Sequence, residues 1–174
     1  TAAALYYAFK NGEDLHGYYA VYDLGGGTFD VSVIRVDGQN VEVIASNGVS
    51  RLGGDDFDML LREIVIKKYK EATGKDMDPD DFSMADAEQE KKSLSQRKRI
   101  TTKVARQLID ITKEEFEEAI SAKVAQAEML CESTIEEAGI SPNEIRSVML
   151  AGGSTRIPMV RESIRRVFGQ EPIS

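Results

Sequence analysis

Tyr22-Asp23-Leu24-Gly25-Gly26-Gly27-Thr28-Phe29-Asp30-Val31-Ser32 holds two strand signals and the turn between them. Tyr18–Asp23 is an aromatic and β-branched run that stops at three consecutive glycines. Beyond them, Thr28–Val36 sets Phe29, Val31 and Val33 against Asp30 and Ser32, the two-residue alternation of a strand with one apolar face. Asp37-Gly38 is a hairpin signal, and Val41–Ala45 returns as a third strand. The centre of this region therefore reads as an antiparallel meander with a glycine loop at its first turn.

On the amino side, Thr1–Phe9 is Ala-rich and helix-prone, and Asn11-Gly12 stops it. On the carboxyl side the composition shifts after Gly53-Gly54. Asp55 and Asp56 open a helix with Leu60, Leu61, Ile64, Val65 and Tyr69 on one stripe, Lys67, Lys68 and Lys70 near its end, and Gly74 beyond it. Asp78–Asp81 is a polar connector, Ser83–Ser95 a charged helix, and Arg99–Val104 with Gln107–Asp110 a short hairpin. Thr112 and Glu115 form a capping box for a long helix that turns Phe116, Ile120, Val124, Ala127, Leu130 and Ile135 inward before Gly139. Ser147–Ala151 is a short strand, Gly152-Gly153-Ser154-Thr155-Arg156 a turn, and Pro158–Phe168 a final helix ended by Gly169. Three strands, a mostly helical insert, then helix-strand-helix describe an α/β unit with an inserted subdomain at about residues 53–120.

Composition narrows the chemistry. The 174 residues carry a net charge of −8, which argues against a surface built to grip nucleic acid or anionic lipid. No apolar run approaches the roughly 20 residues that cross a bilayer, so a soluble, cytoplasmic chain is expected. Cys131 is the only cysteine, which excludes an internal disulfide and a cysteine zinc cluster; it adjoins the apolar stripe of its helix and reads as packing. His16, the only histidine, reads as an exposed residue beside a loop. The chain begins at Thr1 without Met and ends at Ser174 without a closing element, as a piece of something longer would.

Three places remain for function. Gly25, Gly26 and Gly27 permit positive φ and convergent backbone N–H groups, the makings of an anion nest. Asp23 upstream could hold Mg²⁺, directly or through water, or orient an attacking water, and Thr28 could meet a phosphate oxygen. Read alone, the same residues also suit a plain hairpin turn. Gly152, Gly153, Ser154 and Arg156 lie between a strand and a helix, where N–H groups favour an anion and glycines let a flat ring approach, with the Arg156 guanidinium able to stack on it. The competing reading is a simple turn with Ser154 as a cap. Glu88, Lys91, Lys92 and Ser95 share a helical face by spacing, which also describes a solvated charged surface.

Together these segments resemble the seventy-kilodalton heat-shock chaperone (DnaK-type) family. The stretches that carry the resemblance are Thr1–Leu5, Tyr22–Ser32, Leu52-Gly53-Gly54-Asp55-Asp56-Phe57-Asp58, Ile111–Phe116 and Leu150–Pro158, in family order along the whole chain. The match is to one half of the ATPase domain, its second lobe. The implied fold is the actin-like ATPase (ribonuclease H-like) lobe: a mixed sheet with flanking helices, residues 1–52 and 121–174 as subdomain IIA and 53–120 as an inserted α+β subdomain IIB.

The resemblance further implies that Gly25, Gly26, Gly27, Thr28 and Gly54 bind the phosphates of ATP or ADP, and that Asp23 and Thr28 serve catalysis. Asp23 would hold Mg²⁺ through water. Glu88, Lys91, Lys92, Ser95, Gly152, Gly153, Ser154, Arg156 and Ile157 would enclose the adenosine, with Arg156 and Lys92 facing each other across the adenine. The implied partners are the other lobe, a peptide-binding domain, a J-domain co-chaperone, a nucleotide exchange factor and unfolded client peptides, in a stress-response chaperone acting in protein folding. An actin-like filament protein and a small-metabolite kinase share the superfold and are the alternatives. The segments before Glu88 and after Ser95 are shorter than usual in the family, and Lys92 stands where some members have Arg, which points to a divergent bacterial member. The γ-phosphate lysine and a second phosphate loop belong to the other lobe, so this lobe alone is expected to bind nucleotide weakly and not to turn ATP over.

Overall fold

The computed structural model describes residues 16–38 and 40–173, so the helix expected over Thr1–Phe9 lies outside the described residues. In chain order the elements are β1 (His16–Leu24), β2 (Thr28–Asp37), β3 (Asn40–Ser50), α1 (Gly54–Thr73), α2 (Met84–Leu94), β4 (Arg99–Val104), β5 (Gln107–Thr112), α3 (Lys113–Glu137), β6 (Ile145–Ala151) and α4 (Pro158–Phe168). They form two units, one from residues up to Gly53 and from Val124 onward, the other Gly54–Lys123. The first division falls after Gly53 because that glycine packs on the β1–β2 turn, as described below. The second falls inside α3, whose unbroken course offers no stop at residue 120. Among the described residues no helix is long and apolar enough to cross a membrane.

The first unit is built on a mixed sheet of order β3-β2-β1-β6. β1 and β2 pair antiparallel, as do β2 and β3, while β6 lies parallel to β1 with Ala20 beside Val148 and Asp23 beside Ala151. β1 is buried from Tyr19 through Tyr22, consistent with a central strand covered on both faces. Tyr19, Val21, Ile34, Val36 and Met149 form one cluster of the core. Tyr22 stacks obliquely on Phe29 with ring centroids 4.7 Å apart. Ile173 runs along the outer edge of β6, its N–H donating to the Val148 carbonyl at 2.8 Å.

β3 is longer than the expected Val41–Ala45. Its polar extension Ser46-Asn47-Gly48 looks like a loop, yet the Ser32 and Ser46 hydroxyls lie 2.9 Å apart across the ladder. Asn47 Nδ2 donates to Thr134 Oγ1 at 2.7 Å and to Glu137 Oε2 at 3.2 Å, tying the strand to α3. On α3, Leu130 is only half-buried; Cys131 and Thr134 take the inward positions beside Ala127 and Ile135. Burial pushes the Cys131 thiol well above its ordinary range, in keeping with a packing role. His16 is exposed, as expected, and opens β1, its Nδ1 2.9 Å from Asp37 Oδ1 across the ladder.

The second unit packs α1, α2 and the β4–β5 hairpin. Phe57, Leu61 and Val65 are the buried residues of the α1 stripe, with Leu60, Ile64 and Tyr69 half-buried. Ser83 and Asp86 cap α2 reciprocally. The hairpin runs two residues past the expected Asp110, to Thr112 opposite Arg99. Thr112 Oγ1 accepts from the Glu115 N–H at 3.1 Å and Glu115 Oε2 from the Thr112 N–H at 3.0 Å, the capping box read in the sequence. Lys68 Nζ adds a 2.7 Å ion pair to Glu115.

Candidate functional site

The glycine turn closes tightly. Leu24 pairs with Phe29, and the Gly25 N–H then donates to the Thr28 carbonyl at 3.1 Å, leaving Gly26 and Gly27 as the exposed tip. None of Gly25, Gly26 and Gly27 takes the positive φ that the sequence reading allowed them. The glycine that needs room is Gly53, which packs against this turn; a Cβ on Gly25 or Gly27 would meet no atom nearer than 3.7 Å. A methyl group on Gly53 would lie 2.5 Å from the Gly26 oxygen and 2.6 Å from the Gly25 oxygen, well inside contact distance. The Arg51 N–H donates to the Gly27 carbonyl at 3.0 Å, and Arg51 itself sits at φ 59, in the left-handed region.

Asp23 lies two rungs back from the turn, half-buried, directly opposite Asp30 in the β1–β2 ladder. Residues directly opposite in an antiparallel pair project from the same face, so the two carboxylates share one. In the sequence Asp30 reads only as the polar half of an alternation; the signal that pairs it with Asp23 is its equal distance from the turn. Thr28 is exposed at the head of β2. One or two carboxylates with room for water is a donor set suited to Mg²⁺, a hard cation that keeps much of its hydration. Among the described residues there is no cluster of three or more acidic, His or Cys side chains placed for a metal.

Because β6 lies parallel to β1, its carboxyl end brings Gly152 and Gly153 beside the glycine turn. Gly152 has φ 91, and a methyl on it would fall 2.1 Å from the Leu24 carbonyl oxygen. The chain then makes a short 3₁₀ turn over Gly153–Arg156 before α4 begins at Pro158. Ser154 makes no capping bond and is buried; the Thr155 hydroxyl, which the sequence reading passed over, donates to the Gly152 carbonyl at 2.6 Å. Ile157 is buried, while Arg156 is exposed and has no ion-pair partner among the described residues. Two glycine turns at the carboxyl ends of neighbouring parallel strands form the kind of crevice edge where α/β sheets bind ligands.

The second unit holds the remaining candidates, and there the expected common face divides. Glu88 and Lys92 are exposed and pair with each other at 3.1 Å; Lys92 holds the Glu88 carboxyl below its ordinary range. Lys91 is buried, its Nζ 2.7 Å from Asp58 Oδ1 and donating to the Gly54 carbonyl at 3.2 Å. Burial pushes the Asp58 carboxyl above its ordinary range against the pull of Lys91. Gly54 is the buried first residue of α1. Ser95 caps the end of α2, half-buried.

Comparison with known proteins identifies the family of the chain. The family described as "Hsp70 protein" matches residues 1–174. The chain is 41% identical over 174 residues to the "Chaperone protein HscA homolog" of Histophilus somni (strain 129Pt), covering 100% of this chain and 28% of that protein. It is 39% identical, with the same coverage of both chains, to the "Chaperone protein HscA" of Pectobacterium carotovorum subsp. carotovorum (strain PC1). It is 38% identical, again over 100% of this chain and 28% of the relative, to the "Chaperone protein HscA" of Enterobacter sp. (strain 638). The chain thus spans 28% of the length of these curated relatives. The mixed α/β architecture is that of an actin-like ATPase lobe, and the chain belongs to the Hsp70 family.

Proposed function

We propose that this chain is the second lobe of an ATP-binding domain in an Hsp70-type chaperone, its two units being subdomains IIA and IIB. The observation that carries the reading is the parallel β1–β6 pairing, which sets the Gly25–Thr28 turn beside the Gly152–Arg156 turn with Asp23 at the mouth of the first. In this reading the Gly26 and Gly27 amides and the Thr28 hydroxyl receive phosphate oxygens, and Gly54 completes that side. On the first unit Gly152, Gly153, Ser154, Arg156 and Ile157 are the candidates for the adenosine, and on the second unit, taken by itself, Glu88, Lys91, Lys92 and Ser95 are. Mg²⁺, when bound, supplies charge neutralisation for the phosphates, and Asp23 would hold it through water.

In the whole protein, ATP hydrolysis would control binding and release of client peptides, with a J-domain co-chaperone and an exchange factor as partners, in the cytoplasm. This lobe alone supplies one wall of the phosphate site. Phosphoryl transfer to water demands in-line positioning with charge on all sides of the γ-phosphate, so the isolated lobe would not turn ATP over. Family membership argues against the filament and metabolite-kinase readings. The test is titration calorimetry with ADP together with an ATPase assay, on the full-length protein and on the lobe. Nucleotide binding by both with turnover only in the full-length protein supports the reading. A full-length protein that binds no ADP overturns it, and turnover by the lobe alone overturns the one-wall argument.

A further inference from the structure

We propose that Gly53 is a positioning residue of the phosphate nest, acting through the Gly25 and Gly26 carbonyls; the proposal rests on the nucleotide reading above. A Gly53 methyl would come within 2.6 Å of both of those oxygens, so both oxygens lie on the Gly53 side of the turn. Every peptide bond of the described residues is trans. In a planar trans peptide the carbonyl oxygen and the following N–H point in opposite directions. Seating the Gly25 and Gly26 oxygens against Gly53 therefore turns the Gly26 and Gly27 N–H groups away from it, toward the exposed tip. The Gly25 N–H is different, because it is held by the Thr28 carbonyl at 3.1 Å. The Arg51 N–H fixes the third oxygen, that of Gly27, at 3.0 Å, so the segment around Gly53 holds all three carbonyls of the glycine run.

The site is thus assigned two backbone donors, the Gly26 and Gly27 amides, and Gly53 sets their direction without touching the ligand. No side chain can replace it: a Cβ must displace the carbonyls, and the amides rotate with them. Gly53 has no positive φ, so its requirement is for space and not for left-handed backbone.

The test uses the full-length protein and compares ADP with adenosine, which lacks the phosphates. Gly53→Ala is expected to weaken ADP about tenfold or more, as loss of aligned charge-assisted hydrogen bonds would, and to change adenosine affinity by less than about twofold. Equal losses for both ligands, or none for ADP, overturn the proposal. A wild-type protein that binds neither ligand overturns the nucleotide reading itself, and this proposal with it. A measurement on the wild type keeps the matter decidable should the variant fail to fold. With glycine ¹⁵N-labelled protein, ADP should shift the Gly26 and Gly27 amide resonances and leave Gly25 in place. A Gly25 shift as large as theirs, or silence at all three while ADP binds, would contradict the proposal.

Discussion

Asp23 and Asp30 stand directly opposite each other in the β1–β2 ladder, two rungs from the bond that closes the glycine turn. Like charges so placed repel. The cost of that repulsion to stability is directly measurable. In the full-length protein without nucleotide, Asp23→Asn should raise the unfolding free energy by about 0.2–1 kcal/mol. It should also cut single-turnover ATP hydrolysis about 10²–10³-fold, the cost of losing one preorganised electrostatic group. Urea unfolding and rapid-quench kinetics on the same preparation check both halves.

Gly152 and Gly153 are adjacent and should respond differently. Gly152→Ala forces a side chain into the left-handed region and against the Leu24 carbonyl, which should cost at least about 1–3 kcal/mol. A methyl on Gly153 meets nothing within 4 Å and its φ is not positive, so Gly153→Ala should change stability by less than about 0.5 kcal/mol. Paired denaturation curves decide; equal losses would show that the β1–β6 junction is looser than described.

Asp58 and Lys91 form a buried ion pair, and removing one partner strands the other charge. Asp58→Ala should destabilise the protein by about 3–5 kcal/mol, whereas replacing both, as Asp58→Leu with Lys91→Met, should cost much less. A double variant as unstable as the single one would show that the pair is held by packing rather than by charge.

The Thr112–Glu115 box gives a pH dependence with a defined sign. Lys68 first, and the Thr112 N–H second, hold the Glu115 carboxyl below its ordinary range. Its folded value is lower than its unfolded one, so its contribution is present above the unfolded value and is lost as pH falls through the folded one. Thermal midpoints should therefore fall less steeply below about pH 4.5, the ordinary glutamate value, in Glu115→Gln than in the parent. Thr112→Ala should cost about 1 kcal/mol at neutral pH by removing the cap.

The sequence made the helices and the first two strands legible because their signals are local: the Thr112–Glu115 cap, the Phe29–Val31–Val33 alternation, the Gly169 stop. What it hid depends on partners far away in the chain. The Ser46-Asn47-Gly48 extension of β3 looks like a loop until Ser32 and Thr134 are seen to meet it. Lys91 reads as one member of a charged face, and only the fold brings Asp58 to it. Gly53 reads as the end of one segment and Asp30 as the polar side of a strand; their places near the turn follow from the hairpin and from the return of the chain after β3. The glycine run was legible as a candidate site, but its reason was not. Neither positive φ nor crowding at Gly25 or Gly27 accounts for it; the position that must stay bare for space is Gly53, packed against the turn.

A crystal structure of the full-length protein with ADP and Mg²⁺ is the decisive test of the nucleotide reading. The phosphates are expected at the Gly26 and Gly27 amides and the Thr28 hydroxyl, with Asp23 reaching the metal through water and the adenosine against Gly153–Arg156. ADP bound elsewhere, or with its phosphates at the Gly153 turn and its base over the Gly25–Gly27 turn, would contradict it.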